Sequence, residues 1–477
     1  MYLGIDLGTS GVKVTLIDDS QRVLGSETAG LTVQRPHPNW SEQDPADWIR
    51  ATETALAALA RAHDLAAVQG IGLSGQMHGA VALDASGAVL RPAILWNDTR
   101  SHAEAAELDA MPDLRRISGN IVFPGFTAPK LVWMARHEPD LFSRVATVLL
   151  PKDYLRLWLT GERVSEMSDA SGTSWLDVAA RDWSDAALAA GGMRRDQMPA
   201  LVEGSAPSGR LRAELAARWG MGQAVVAGGA GDNAATAIGA GTVAPGQGFV
   251  SLGTSGVVFA ASDRFLPAPE TAVHAFCHAL PQTWHQMGVI LSASAAMEWL
   301  AGVLQAKPAD LTAGLGALQA PGTAMFLPYL SGERTPHNDA LAKGLLAGLT
   351  PTTDRAALTR AVLEGVTFAL ADNLTALRAA GADLDGLLAL GGGARSDYWL
   401  RLIATTLNLP VLLPEGGDYG AAFGAARLGM MAATGASAAE ICTMPRIAQE
   451  ILPDAALVPA FAESHARFRA LYPASRG

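Results

Sequence analysis

The hexapeptide Leu-Gly-Thr-Ser-Gly-Val stands twice in this chain, at Leu7–Val12 and at Leu252–Val257, about half a chain apart. Each copy follows a short apolar stretch that reads as a strand, and each runs on into a second one. A strand, a tight turn of small residues and a returning strand make a hairpin whose backbone N–H groups can point at an anion. One turn per half predicts two related half-molecules closing on the phosphates of a single nucleotide. Two unrelated hairpins sharing a turn sequence would account for either copy alone, but not readily for the repeat. The turns are expected to be alike in backbone and unlike in chemistry: Asp6 stands two residues before the first glycine, Ser251 at the matching place before the second.

At 477 residues the chain is longer than one hydrophobic core usually serves, so two domains are expected. The boundary falls in Thr242–Gly248, which holds Pro245 and Gly246, giving units of 1–244 and 245–477. The opening reads as a β-meander, Tyr2–Asp6, Val12–Ile17 and Val23–Ser26. A helix follows over Asp44–Ala62 with Trp48, Ile49, Ala55, Leu56 and Leu59 at roughly helical spacing, a face that Thr52 interrupts. Strand–helix–strand alternation is expected to continue to about Gly241, and the pattern restarts at Gly248. Ala356–Ala380 reads as a long helix with Val362, Val366, Leu370 and Leu374 on one face. The fold class is α/β with two similar lobes, each opened by a hairpin.

Net charge is −11 and no Lys/Arg run occurs, which argues against a nucleic-acid partner. An acidic protein of this kind holds phosphate locally, with backbone dipoles, a metal ion and a few cations. The two cysteines, Cys277 and Cys442, form neither a disulfide framework nor a metal cluster and read as small buried hydrophobes. No leader pattern and no apolar run of membrane-spanning length is found, so a cytoplasmic protein is expected.

Several residues carry candidate chemistry. Asp6, at the end of the first strand, reads as a turn aspartate or as a carboxylate for Mg²⁺ beside a bound phosphate. Lys13 reads as a phosphate contact or a solvated lysine. Asp232 lies after a strand in a run of small residues, at the start of a helical stretch, and reads as an N-cap or as a general base. An unperturbed aspartate, with a pKa near ~3.9, is a weak base at neutral pH, so orientation and late proton acceptance are the expected contributions. His78, framed with Met77 by Gly75 and Gly79, reads as a structural histidine or a hydroxyl contact; Trp96 as core or as a ligand face. Gly391-Gly392-Gly393-Ala394 reads as a flexible turn or as close backbone approach to a flat ring. There is no Walker A sequence and no strand–GxGxxG–helix unit at the N-terminus. The loop Ser331-Gly-Glu-Arg-Thr-Pro-His337 and the clusters His37/Trp40 and Lys152-Asp153-Tyr154 have no role derivable from sequence.

Taken together, these pieces resemble the FGGY carbohydrate kinase family, over essentially the whole chain. Gly125-Phe-Thr-Ala-Pro-Lys-Leu-Val-Trp-Met-Ala-Arg-His137 fits the first family signature. Gly344–Gly348 and Leu358–Glu364 fit the second, which departs at Ala357, where a polar residue is usual. Gly75-Gln-Met-His-Gly79, Arg35–Pro38 with Trp40–Asp44, Ile94–Asn97 and Ser331–His337 are similar to family members acting on D-xylulose. Met77-His78 replaces the Arg-Glu pair of the glycerol kinases. The resemblance implies two ribonuclease H-like lobes of the actin/hexokinase-type ATPase class with a cleft between them. It implies transfer from ATP, with Mg²⁺, to the 5-hydroxyl of D-xylulose; another ketose or polyol such as ribulose is the alternative, and a catalytically silent sugar sensor the non-enzyme one. In the implied roles Asp232 is the base and Asp6 the Mg²⁺-associated carboxylate, while Met77, His78, Asn233 and Trp96 contact the sugar. Gly8, Thr9, Ser10, Gly253, Thr254 and Ser255 hold phosphates, and Gly391–Ala394 with Gly420 line the adenosine pocket. The small-molecule sugar and ATP are the expected partners, and a homodimer is left open.

Overall fold

The meander at the N-terminus seeds the first of two seven-stranded sheets. The computed structural model describes residues 1–417 and 419–476. Strands β1 (Tyr2–Leu7), β2 (Gly11–Ile17) and β3 (Val23–Gly30) pair antiparallel in sequence order. Helix α1 (Pro45–Ala62) is started by the Asp44 carboxylate, which accepts the Ala46 N–H, and by proline at its first position. Thr52 does not break its apolar face: it is buried with the face, and its hydroxyl donates to the Trp48 carbonyl at 2.8 Å. The hydroxyl is thus satisfied within the helix, which is why the position tolerates it. Strand β4 (Gly70–Gly75) then pairs parallel to β1.

The expected alternation fails after β4. From there to residue 206 the chain leaves the sheet and builds helices, including α2 (Thr127–His137), with strands of two or three residues that pair outside the main sheet, Ala93–Ile94 with Glu42–Gln43 and the others among themselves. This region has its own core around Trp133, Trp175 and Trp183. The chain returns through β5 (Pro207–Arg210), β6 (Val225–Ala227) and β7 (Ala230–Gly231), completing the order β5-β6-β4-β1-β2-β3 with β7 beside β4. Helix α3 (Asp232–Ala240) follows at once.

The second half repeats this plan. Strands β8 (Gly248–Leu252), β9 (Gly256–Ser262), β10 (His274–Cys277) and β11 (Trp284–Ile290) are antiparallel, followed by helices α4 (Ser294–Val303) and α5 (Arg355–Ala379). Strand β12 (Leu387–Leu390), helix α6 (Asp397–Leu407), strand β13 (Val411–Pro414), helix α7 (Ala421–Thr434) and strand β14 (Ile447–Ile451) complete it. The order is β10-β11-β9-β8-β12-β13-β14, with β12 parallel to β8 and β13 parallel to β12. The run β3-β2-β1-β4-β6 therefore matches β11-β9-β8-β12-β13, the duplicated ribonuclease H-like topology of actin-type ATPases. Helix α5 is buried on more than the expected face, because it packs against β9 and β11 on one side and α4 and α6 on others.

The two hexapeptides differ in register. Leu7 pairs with Val12, and the Gly8 N–H donates to the Gly11 carbonyl, leaving Thr9 and Ser10 at the tip. Leu252 pairs instead with Gly256, leaving Gly253–Ser255 as a three-residue turn. The expectation of like backbones is thus corrected, and the surroundings supply the reason. The Gly253 and Thr254 carbonyls accept N–H bonds from Ser294 and Ala293, both at 2.9 Å, drawing the second turn toward α4. The first turn is held through Thr9 side-chain and backbone contacts to Gln43, Gln76 and Trp96.

The lobes exchange helices where they meet. Helix α3, from the first half, packs Ala237 and Ala240 on Phe249, Phe259 and Leu388 of the second sheet. Helix α7, from the second half, lies on β1 and β4 of the first sheet. The approach is so close that a Cβ at Gly72 would sit 1.7 Å from the Ala425 carbonyl oxygen, and one at Gly424 would sit 1.7 Å from that of Ala235. Arg427 of α7 is buried and donates to the Ile238 and Gly239 carbonyls at 2.9 and 3.2 Å, closing the C-terminal end of α3.

Candidate active site

The ends of β1, β4 and β7 lie side by side, and each delivers a polar group to the same point. Asp6 is opposite Lys13 across the β1–β2 hairpin and level with Ser74 of β4, whose hydroxyl donates to its carboxylate at 2.9 Å. Gly231 of β7 is level with Gly75, so Asp232 emerges beside them as the first residue of α3. Gly231, not Asp232, occupies the N-cap, which removes the capping explanation for this aspartate. Its carboxylate accepts the Asn233 backbone N–H at 2.7 Å and the Asn233 side-chain amide at 3.0 Å. Burial, and then the nearby Asp6 charge, push its pKa up to about 6. Asp232 is therefore a stronger base than the ordinary aspartate assumed from sequence, with a pKa close to working pH.

Met77 and His78 lie directly after β4. His78 has a left-handed backbone, φ 70°. Its Nδ1 is 2.7 Å from the Gly172 carbonyl and its ring stacks on Phe126 at 4.5 Å. Burial drives its pKa down to about 3, so the ring is neutral: Nδ1–H donates to Gly172, and Nε2 is left as an acceptor. Two glycines make room. A Cβ at Gly172 would lie 2.3 Å from the His78 ring, and one at Gly231 would lie 2.9 Å from the Met77 thioether. The His78 carbonyl is fixed by Lys130 Nζ at 2.7 Å and Thr127 Oγ1 at 3.1 Å, both from α2. That contact explains the buried lysine within the first signature.

Trp96 is 43% exposed. It is not core: its indole N–H donates to Thr9 Oγ1 at 2.9 Å, and Thr9 donates to Gln76 at 3.1 Å. Gln76 donates to Gln43 at 3.1 Å, and Gln43 returns to the Thr9 carbonyl at 2.8 Å. This ring ties the first turn to the residues around Met77 and His78. Sequence reasoning gave Gln76 no role of its own within Gln76-Met77-His78 and passed over Gln43, although each sits inside a quoted motif.

The cluster Lys152-Asp153 also acquires a place. Lys152 Nζ is 2.9 Å from Asp153, 2.8 Å from Asp169 and 3.3 Å from Glu166, all fully buried. Glu166 accepts from the Ser168 hydroxyl, whose oxygen accepts the Gly231 N–H at 3.0 Å. The network thus ends on the residue preceding Asp232. Trp40, by contrast, stacks under Arg100 at 3.5 Å and is structural.

Two cavities flank the turn after β12. One, of about 340 Å³, is lined by Ser294, Glu298, Gly392, Gly393 and Ser396. The other, of about 610 Å³, is lined by Ser251, Gly391, Ala394, Arg395 and Gly420. The four glycines and Ala394 assigned from sequence to one pocket are thereby divided between two. Ser294, on the wall of the smaller cavity, donates its N–H to Gly253 and its hydroxyl to Leu252.

The fold and the paired carboxylates define a two-lobed α/β phosphotransferase of the actin-type ATPase class. Residues 1–239 match the N-terminal domain, and residues 248–433 the C-terminal domain, of the FGGY family of carbohydrate kinases. The chain belongs to that family, for which ATP is the phosphoryl donor. It is 52% identical over 476 residues to the xylulose kinase of Escherichia coli strain K12, covering 99% of this chain and 98% of that one. It is 54% identical over 435 residues to the xylulose kinase of Klebsiella pneumoniae, covering 91% and 90%. The crystal structure of a xyloylose kinase from Brucella ovis superposes with a TM-score of 0.97 at 62% identity, covering 99% of both chains. No helix among the described residues is long and apolar enough to cross a membrane.

Proposed function

We propose that this chain transfers the γ-phosphoryl group of ATP to the 5-hydroxyl of D-xylulose. One observation carries the reading. Asp232, the neutral acceptor His78 and Met77 converge where Gly172 and Gly231 admit them, in a chain similar over nearly its whole length to enzymes named xylulose kinase. Asp232 accepts the hydroxyl proton as the oxygen attacks in line, and Asn233 and the start of α3 orient its carboxylate. Adenosine is assigned to the 340 Å³ cavity, whose wall residue Ser294 is bonded to the Gly253–Ser255 turn that would hold phosphates. Gly8–Ser10 and Lys13 approach the phosphates from the other lobe. Asp6 suits Mg²⁺, which takes one or two carboxylates together with phosphate oxygens and water. The Asp6 charge that raises Asp232 is one that such a cation would offset, and the ion when bound neutralises charge on the transferring group. Crossing helices α3 and α7 provide the joint on which the lobes close and exclude water.

The test is ADP release in a coupled assay across ketoses and polyols. Fastest turnover on D-xylulose is expected. Faster turnover on ribulose or glycerol overturns the substrate, and no sugar-dependent ADP with any of them leaves the silent sensor.

A further inference from the structure

The loop Ser331–His337 brings Arg334 toward His78. Its backbone is pinned on both sides of the arginine. The Glu333 carboxylate accepts the Leu291 and Arg334 N–H groups at 3.0 and 2.8 Å. Thr335 Oγ1 accepts the Val289 N–H at 3.1 Å and donates to the Ala272 carbonyl at 2.9 Å. Further along, His337 stacks on Tyr472 at 3.7 Å, and the Tyr472 hydroxyl donates to Asp339 at 2.8 Å, so the C-terminal segment clasps the loop.

With the backbone held, the guanidinium lies 4.9 Å from the Phe123 ring, and its Nη1 is 3.3 Å from His274 Nε2. Burial keeps His274 neutral, so that nitrogen accepts. Among the described residues no carboxylate forms an ion pair with Arg334. The adjacent Glu333 is itself pushed up to about 8 by burial and is mostly protonated at neutral pH. A partly buried guanidinium with aromatic and imidazole neighbours in place of a counter-ion is costly to keep unless a ligand uses it.

The rings it touches are those that enclose His78. Phe123 lies 5.5 Å from Phe126, Phe126 lies 6.1 Å from Phe276, and His274 lies 5.3 Å from Phe276. His78 stacks on Phe126 and lies 6.3 Å from Phe276. The Arg334 charge is felt at His78, where it disfavours the protonated ring. Arg334 and His78 thus border the same cluster of rings, a donor from the second lobe and an acceptor from the first.

A 2-ketopentose phosphorylated on its 5-oxygen cannot have that oxygen in a ring. It reacts as the open chain, with a free carbonyl that only accepts and a neighbouring hydroxyl that donates. We propose that Arg334 donates to the ketose carbonyl while His78 Nε2 accepts from the adjacent hydroxyl; the corresponding polyol offers Arg334 a hydroxyl oxygen but must turn that hydroxyl's proton away from a group that only donates, so the pair favours an α-hydroxyketone over the polyol. This inference rests on the ketose reading above.

The experiment is calorimetric titration of the full chain, with ADP present, by D-xylulose and by xylitol, in which a hydroxyl replaces the carbonyl. Wild type is expected to prefer the ketose. R334Q should lose about 10- to 100-fold in ketose affinity, the scale of one hydrogen bond to a charged group, and less than about 3-fold in xylitol affinity. ADP affinity should be unchanged. R334K keeps a charge without the planar fork and should fall between, again on the ketose alone; it decides the matter if R334Q fails to fold. Equal losses on both sugars, or no loss on either, overturn the assignment. A wild-type chain that binds xylitol as tightly as D-xylulose overturns it as well, while one that turns over another sugar class sinks the ketose reading beneath it.

Discussion

Replacing Asp232 by Asn separates what this residue does for catalysis from what it does to stability. The Asn carbonyl can still accept both Asn233 donors, so the local geometry is retained, while the charge and the base are lost. Turnover should fall by about 10²–10⁴, the usual contribution of a positioned base. Stability should move the other way. The folded pKa of about 6 lies above the unfolded value near ~3.9, so the unfolded chain gives up this proton first as pH rises. Stability is therefore undiminished by this group below about pH 4, declines between pH 4 and 6, and carries the full penalty above pH 6. Two pKa units correspond to at most about 3 kcal/mol, and partial exposure of the side chain reduces that to about 1–2. D232N should accordingly melt a few degrees above wild type at pH 7.5 and level with it at pH 4. Thermal scans of both proteins from pH 4 to 8, with neither nucleotide nor metal, measure the gap. A gap that stays constant across that range would refute the argument that burial and Asp6 lift this carboxyl.

Three further outcomes follow from the same contacts. His78→Ala should raise the KM for sugar at least about 10-fold while leaving nucleotide affinity intact; equal weakening of both would place His78 outside the sugar site. Lys152→Met leaves Asp153, Glu166 and Asp169 buried without their shared cation, at a cost of about 3–5 kcal/mol. Its melting temperature should drop and kcat should fall more than KM changes, because the network positions Gly231; an unaltered kcat in folded protein would detach the network from the base. Gly424→Ala drives a Cβ into the Ala235 carbonyl at the crossing of α3 and α7 and should cost more than about 4 kcal/mol; a variant melting within a degree of wild type would show that the crossing yields easily.

The two-lobed plan was legible because apolar strands and small-residue turns are local signals, and a repeated hexapeptide needs no third dimension to be seen. Asp6 and Asp232 were legible for the same reason, each at a strand end beside glycine. What stayed hidden depends on distant pairing. Gly172 and Gly231 matter only because Met77 and His78 come to lie against them, and Gln43 and Gln76 only because they meet at Thr9. The pKa of Asp232 was misjudged because burial and the Asp6 charge are properties of the assembled strands. The departure of residues 76–206 from the main sheet is not legible either, because two- and three-residue strands leave the same apolar trace as longer ones.

The one-residue difference in register between the two identical hexapeptides shows how far a local sequence can be overruled. Six matching residues set a hairpin in both lobes, yet Leu7 takes Val12 as its partner and Leu252 takes Gly256. The first turn is anchored by side chains, through Thr9 to Trp96 and Gln76, and so responds to the sugar-side residues. The second is anchored by its own carbonyls to the start of α4, which also supplies Ser294 to the wall of the 340 Å³ cavity proposed for adenosine. The same six residues are therefore tied to different parts of the protein. In an enzyme whose reaction requires both ligands to be in place before phosphoryl transfer, two separately anchored turns allow each lobe to register its own substrate, with α3 and α7 joining the two responses at their crossing.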